Sequence, residues 1–134
     1  MYRQIKYLII HCTATQKQTS IQSIKDYWKD VKKWNSVGYH ILIEADGNYT
    51  QLANYEVIVN GALGYNHNAI HIAYIGGIDS TGKPADTRTA EQKQTLRSLV
   101  EYFKGCIEGI TVLGHRDLPN VLKACPCFDV QTQL

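Results

Sequence analysis

The sequence predicts a single α/β domain with a mixed central β-sheet flanked by helices. Short runs of apolar and β-branched residues alternate with two longer segments whose apolar residues recur at helical spacing. An Asp-Gly pair separates two of the short runs, which is typical of a hairpin. The length of 134 residues suffices for one hydrophobic core and is short for two domains. We therefore treat residues 1–134 as one domain.

The first strand and helix are predicted near the amino terminus. Residues 5–10 form an apolar run that predicts a buried strand ending at His11. Thr19 and Gln22 have the spacing of a capping box, after which a helix is expected. Its apolar face comprises Ile21, Ile24, Trp28 and Val31.

A hairpin and a long loop are predicted next. Residues 39–44 and 48–52 are expected to form paired strands. Asp46-Gly47 between them favours a primed turn, because glycine adopts positive φ readily. Residues 53–68 show no clean period and predict an irregular surface loop.

The second long helix follows another strand. Residues 69–75 predict that strand, and Thr89 with Gln92 forms a second candidate capping box. The apolar face expected to follow comprises Leu96, Leu99, Val100, Phe103 and Ile107. Residues 111–113 predict a last short strand leading to His115, and residues 117–134 are expected to be loop-like.

Composition excludes several functions. The net charge of +2 comes from 14 basic and 12 acidic side chains without a dense basic stripe, so nucleic acid is not an expected partner. No apolar run approaches the ~20 residues of a membrane span. None resembles a signal-peptide core either, so we expect a cytoplasmic protein with reduced thiols. We also expect a monomer.

Three side chains have the chemistry of a catalytic zinc site. His11 and His115 offer imidazole nitrogens and Cys125 offers a thiolate, and catalytic zinc keeps three protein ligands. Spacing alone leaves two alternatives open, namely histidines satisfied elsewhere and a cysteine that packs as a small hydrophobe. A four-cysteine structural site is disfavoured because Cys125 and Cys127 are separated by a single residue. The HExxH and GxSxG patterns are absent from the sequence.

Five short strings occur in the order found in one known family. They are IHCTAT (10–15), GYH (38–40), GYNHN (64–68), GGID (76–79) and KACP followed by Phe128-Asp129 (123–129). From about residue 5 to Asp129 the chain resembles phage lysozymes of the N-acetylmuramoyl-L-alanine amidase type, which are related to peptidoglycan recognition proteins.

The resemblance implies a fold like that of zinc amidases and peptidoglycan recognition proteins, and it assigns roles to residues. His11, His115 and Cys125 would bind zinc, while Tyr39 and Lys123 would assist catalysis. His67, together with Asn66 and Asn68, would contribute to substrate binding.

The implied reaction is zinc-dependent hydrolysis of the amide between N-acetylmuramic acid and L-alanine in peptidoglycan. A phage or prophage endolysin of this kind would remain in the cytoplasm until membrane permeabilisation exposed the wall. One alternative is a cytosolic recycling amidase acting on anhydro-muropeptides, but its third ligand is typically aspartate. Another is a non-catalytic recognition module, but such relatives usually lack the metal cysteine that is present here as Cys125.

Three further residues stay outside these assignments. Cys127 stands where related chains can carry serine, and its closeness to Cys125 would allow competition for zinc or oxidation. His40 follows Tyr39 and is expected to be structural, because successive strand residues point to opposite faces. His71 is interpreted as packing or as part of a groove wall.

Overall fold

The computed structural model describes residues 3–134, and its centre is a five-stranded sheet in the order β3-β2-β4-β1-β5. Four strands run parallel and β3 is antiparallel to β2, so the predicted mixed sheet flanked by helices is confirmed. The elements in chain order are β1 (Tyr7–Cys12), α1 (Ile21–Asp30), β2 (Ile41–Ile43), β3 (Tyr49–Gln51), β4 (Ala69–Tyr74), α2 (Ala90–Cys106), β5 (Thr111–Gly114) and α3 (Val130–Gln133). None of these helices is long and apolar enough to cross a membrane.

The two faces of the sheet carry different side chains, most clearly along β4. Alternation along β1 and β4 sends Leu8, Ile10, Ile70 and Ile72 to one face, where they pack with α2. That core comprises Leu8, Ile10, Ile41, Ile43, Ile70, Ile72, Leu96, Leu99, Val100 and Phe103. On the other face, β4 presents the small or polar side chains of Ala69, His71 and Ala73, and β1 presents Ile9 and His11. This face has room for a groove.

The long helix α2 begins as the sequence predicts. Thr89 is its N-cap and forms the reciprocal capping box with Gln92. Gln92 is fully buried, and its amide also donates to the carbonyl oxygens of Ile43 and Ile75 at 3.2 and 3.1 Å. The cap therefore ties the start of α2 to the ends of β2 and β4.

The predicted start of α1 is wrong by one residue. Ser20, rather than Thr19, is the N-cap, and its hydroxyl accepts from the Ser23 N–H at 3.1 Å. Ile24 and Trp28 are buried as expected, but Val31 is 63% exposed because it follows the last helical residue. The first capping box predicted from the sequence does not form.

The hairpin between β2 and β3 is confirmed, but its turn differs from the predicted primed turn. The Gly47 N–H donates to the Glu44 carbonyl at 2.9 Å, so Ala45 and Asp46 occupy the turn centre. Gly47 then adopts φ +89°. This arrangement is a three-residue loop with glycine in the left-handed position, the next most common way to join two strands.

The strand and tail limits also shift. β1 starts at Tyr7 and continues through Cys12, because its pairing with β4 extends to that residue. The tail predicted as loop contains α3, where the Asp129 carboxylate caps the Gln131 N–H and Val130 is buried. The extra helix packs beside β5.

Candidate active site

The three predicted metal ligands converge in the structure. One nitrogen from each of His11 and His115 and the Cys125 sulfur all lie within 4.8 Å of one another. His11 Nδ1 is 4.0 Å from Cys125 Sγ, and the two imidazole rings have centroids 4.7 Å apart. Among residues 3–134 this is the one cluster of histidine, cysteine or carboxylate side chains that could hold a metal ion.

Backbone hydrogen bonds bring the ligands together from distant parts of the chain. His11 lies near the carboxyl end of β1, and His115 directly follows the neighbouring parallel strand β5. The Arg116 N–H donates to the Cys125 carbonyl at 2.8 Å, which joins the segment after β5 to the tail. The Cys12 N–H donates to Cys125 Sγ at 3.2 Å and fixes the sulfur beside β1.

The surroundings favour the protonation states that metal ligation needs. Burial, followed by the unfavourable electrostatic influence of His71, His115 and Lys123 on a protonated ring, lowers the pKa of His11 well below its usual range. Burial and Lys123 lower the pKa of His115. Hydrogen bonding with Cys12 lowers the pKa of the Cys125 thiol. Neutral imidazole and thiolate are the forms that bind a divalent cation, and these pKa shifts favour both.

Tyr39 lies beside the ligand cluster, just before β2. Its ring centroid is 4.9 Å from that of His11 and 5.5 Å from that of Trp28 in α1. The hydroxyl donates to the Cys12 carbonyl at 3.3 Å. Burial raises the pKa of Tyr39, so the phenol keeps its proton and acts as a donor.

The ligand cluster lies in a groove of about 1030 Å³. α1 and the segment after it form one wall, which includes Trp28 and Trp34. The 53–68 loop and the segment after His115 form the others. Lys123 is exposed at the groove beside the ligands and brings a positive charge to it. The groove therefore combines apolar walls with a polar floor, as binding sites for small ligands commonly do.

The residues predicted to bind substrate are not all brought to this groove. Asn66 lines it, but its side-chain oxygen accepts from the Ala62 N–H at 2.7 Å and so holds the loop. His67 is exposed, and neither it nor Asn68 is among the residues lining the groove. Both residues belong to a 3₁₀ turn at Asn66–Asn68, directly before β4.

Arg3 fixes the loop that forms this wall. Its guanidinium donates to the carbonyl oxygens of Tyr55, Asn66, His67 and Ala69. These acceptors lie at both ends of the loop. The clamp therefore sets the position of the groove wall without contributing a group to the groove itself.

Cys127 stays outside the ligand group. Its sulfur lies 3.9 Å from that of Cys12 and 3.4 Å from the Gly77 carbonyl. The four cysteines are free thiols. Cys127 is therefore not part of the cluster formed by His11, His115 and Cys125.

His71 contacts one of the predicted ligands, which the sequence did not predict. This residue is fully buried in β4, and its Nδ1 lies 2.8 Å from His11 Nε2. Burial lowers the pKa of His71 to about 3, which keeps the ring neutral. His40 is structural, as expected: its Nε2 donates to the Val57 carbonyl at 2.7 Å. For His71, the one signal in the sequence was that it interrupts the otherwise apolar run that forms β4.

Comparisons with known proteins agree with this architecture. The family model for N-acetylmuramoyl-L-alanine amidase matches residues 1–128. The endolysin of Enterobacteria phage T3 is 35% identical over 126 residues, covering 92% of this chain and 82% of that protein. The endolysin of Escherichia phage T7 is 34% identical with the same coverage.

Solved structures share the fold at lower sequence identity. Bumblebee PGRP-SA superposes with a TM-score of 0.78 at 24% identity, covering 96% of this chain and 79% of that one. The Ph2119 endolysin, from a Thermus scotoductus bacteriophage, superposes with a TM-score of 0.79 at 20% identity, covering 94% and 79%. The family match over nearly the whole chain shows that this protein belongs to the N-acetylmuramoyl-L-alanine amidase family.

Proposed function

We propose that this amidase uses zinc to hydrolyse the amide between N-acetylmuramic acid and L-alanine in bacterial peptidoglycan. The observation that carries the proposal is the convergence of His11, His115 and Cys125 in the groove. The two phage endolysins similar over most of their length support the same chemistry.

The donor set fits zinc. Two nitrogens and one sulfur are the ligand types zinc prefers, and three protein ligands are the number found in catalytic sites. Nitrogen and sulfur ligands of tetrahedral zinc lie roughly 3.5 Å apart, given bond lengths of ~2.0 and ~2.3 Å. The 4.0 Å between His11 Nδ1 and Cys125 Sγ is close to that separation, and all three ligand atoms lie within 4.8 Å of one another.

Two side chains in the groove, Tyr39 and Lys123, can assist the reaction. When bound, zinc supplies Lewis acidity, which acidifies water and polarises an amide carbonyl. The Tyr39 hydroxyl keeps its proton, and by turning from the Cys12 carbonyl it can donate a hydrogen bond to a reacting oxygen or to the leaving nitrogen. The Lys123 ammonium can stabilise negative charge that develops on the carbonyl oxygen during attack.

The groove walls would hold the substrate on either side of the ligands. Trp34 offers an apolar face for a sugar ring or peptide stem, while the buried Trp28 supports this wall from behind. Asn66 orders the loop that forms another wall. We retain His67 and Asn68 only as candidates for contact with parts of the substrate beyond the groove. The substrate is a wall polymer or its fragments.

We further propose an endolysin role, in which the protein is made in the cytoplasm and reaches the wall after membrane permeabilisation. The similarity to the phage T3 and T7 endolysins supports this role.

The test compares wild type with Cys125→Ser and with Cys106→Ser as a matched control. Cys106 is an exposed thiol at the end of α2 that lies outside the ligand group. Each purified protein is assayed for bound zinc and for release of L-alanine amino groups from sacculi. We expect Cys125→Ser to lose zinc and release, and Cys106→Ser to keep both.

Other outcomes identify the alternatives. Cleavage of soluble anhydro-muropeptides without cleavage of sacculi would indicate a recycling amidase. Binding of muropeptides by a wild-type protein without zinc or cleavage would indicate a recognition module. Either result would contradict the proposed function.

A further inference from the structure

A buried histidine that is not a metal ligand lies directly behind one of the ligands. His71 is fully buried in β4, on the strand that pairs in parallel with β1. Its register partner is Ile9, which places the His71 side chain on the same sheet face as His11. The neighbouring side chains of His71, Ile70 and Ile72, pack in the core on the α2 side.

The hydrogen bond between the two histidines determines which nitrogen of His11 is free. His11 Nδ1 faces Cys125 Sγ at 4.0 Å, whereas His11 Nε2 faces His71 Nδ1 at 2.8 Å. A metal-bound Nδ1 requires the proton on Nε2, which then donates to His71. Metal-ligating histidines generally make such a bond through their second nitrogen, and it fixes the tautomer and the ring orientation.

His40 helps to position His71. The backbone N–H of His71 donates to His40 Nδ1 at 3.0 Å, and the two imidazole rings stack at 7° with centroids 6.0 Å apart. The His71 Nε2 atom is buried and has no hydrogen-bond partner among the described residues. Among the described residues, Nδ1 is thus the one ring nitrogen of His71 with a hydrogen-bond partner, and that partner is His11.

Gly61 provides the space for this ring. A Cβ atom built on Gly61 would lie 2.3 Å from His71 Nδ1 and 2.4 Å from its Cγ, far inside contact distance. The nitrogen that such a Cβ would displace is the acceptor for His11. A loop glycine and a strand histidine are therefore matched to each other in this chain.

We propose that His71 is a positioning residue for the metal site, holding His11 in the tautomer and orientation that present Nδ1 to the metal, and that Gly61 is required to admit its ring. This inference rests on the proposed zinc site. Loss of such a partner typically weakens metal binding by about 10 to 100-fold.

The experiment measures zinc affinity by chelator competition, with the thermal unfolding of each metal-free variant measured alongside. His71→Leu removes the acceptor and fills similar space, and we expect it to bind zinc about 10 to 100-fold more weakly. His71→Asn keeps an acceptor near the position of Nδ1, so its affinity should lie between that of His71→Leu and that of wild type.

Two further variants separate positioning from stability. Ile72→Val removes buried volume on the same strand without touching His11, so it should lower the unfolding temperature and leave zinc affinity unchanged. Gly61→Ala should weaken zinc binding because its Cβ displaces the His71 ring. In a protein that already carries His71→Ala, the same substitution should cause little further loss of zinc affinity, because the ring is absent. Gly61→Ala also tests the inference if His71→Leu fails to fold.

The possible results distinguish the two proposals. Tight zinc binding by wild type with equal affinity in His71→Leu and Gly61→Ala would refute the positioning role and leave the proposed function standing. Absence of zinc binding by wild type would overturn both.

Discussion

Acidification should destabilise the fold through His40, a buried imidazole whose hydrogen bonds require its neutral form. His40 Nδ1 accepts from the His71 N–H, while Nε2 donates to the Val57 carbonyl. Protonation would place a second N–H against the His71 N–H. Of the other groups nearby, Arg3 adds positive charge and Tyr55 is a neutral ring. No neighbour among these compensates a charge on His40.

The magnitude follows from the pKa. Burial lowers the pKa of His40 from 6.5 to about 4, so between these values the unfolded chain binds more protons than the folded one. The stabilisation is therefore present above pH ~6.5 and is lost as the pH falls toward ~4. At ~1.4 kcal/mol per pKa unit, the loss from this residue is about 2 kcal/mol at pH ~5 and about 3 kcal/mol below pH ~4.

The assay is urea denaturation of wild type and His40→Gln at pH ~7.5 and ~5, with a chelator present so that metal binding does not contribute. Glutamine can still donate to the Val57 carbonyl, but it does not titrate and leaves the His71 N–H without its acceptor. The variant should be less stable at the higher pH by about 1–3 kcal/mol. Its deficit should shrink by about 2 kcal/mol at the lower pH. Parallel stability changes in the two proteins would refute the reasoning.

Three other substitutions test the site and the fold. Tyr39→Phe should reduce turnover by about 100 to 1,000-fold while zinc content stays at the wild-type level, and unchanged turnover would exclude a catalytic hydroxyl. Cys127→Ser should leave zinc content and activity unchanged, since Cys127 lies outside the ligand group; zinc loss would place it among the ligands. Gln92→Ala should lower the free energy of unfolding by about 2–4 kcal/mol, because two buried carbonyl oxygens lose their donor. The exposed Gln94→Ala on the same helix is its control, and equal stability of the two variants would contradict the role of the Gln92 bonds.

Local patterns allowed much of the fold to be predicted. The apolar periodicity and the Thr89 capping box identify α2, and the apolar runs identify β1 and β4. These features depend on neighbours in sequence, whose spacing directly reflects helical or strand geometry. The turn at Gly47 and the start of α1 were mispredicted because adjacent residues offer competing caps and turn types, and packing selects between them.

The ligand types could be read from the sequence, and its resemblance to a known family indicated which two histidines and which cysteine to consider. The folded chain was needed to show that their ligand atoms lie within 4.8 Å of one another. It also shows that His67 does not line the groove and that His71 Nδ1 lies 2.8 Å from His11 Nε2. These outcomes depend on strand register and on the path of a loop. Both are set by contacts between residues far apart in the chain, which no local pattern encodes.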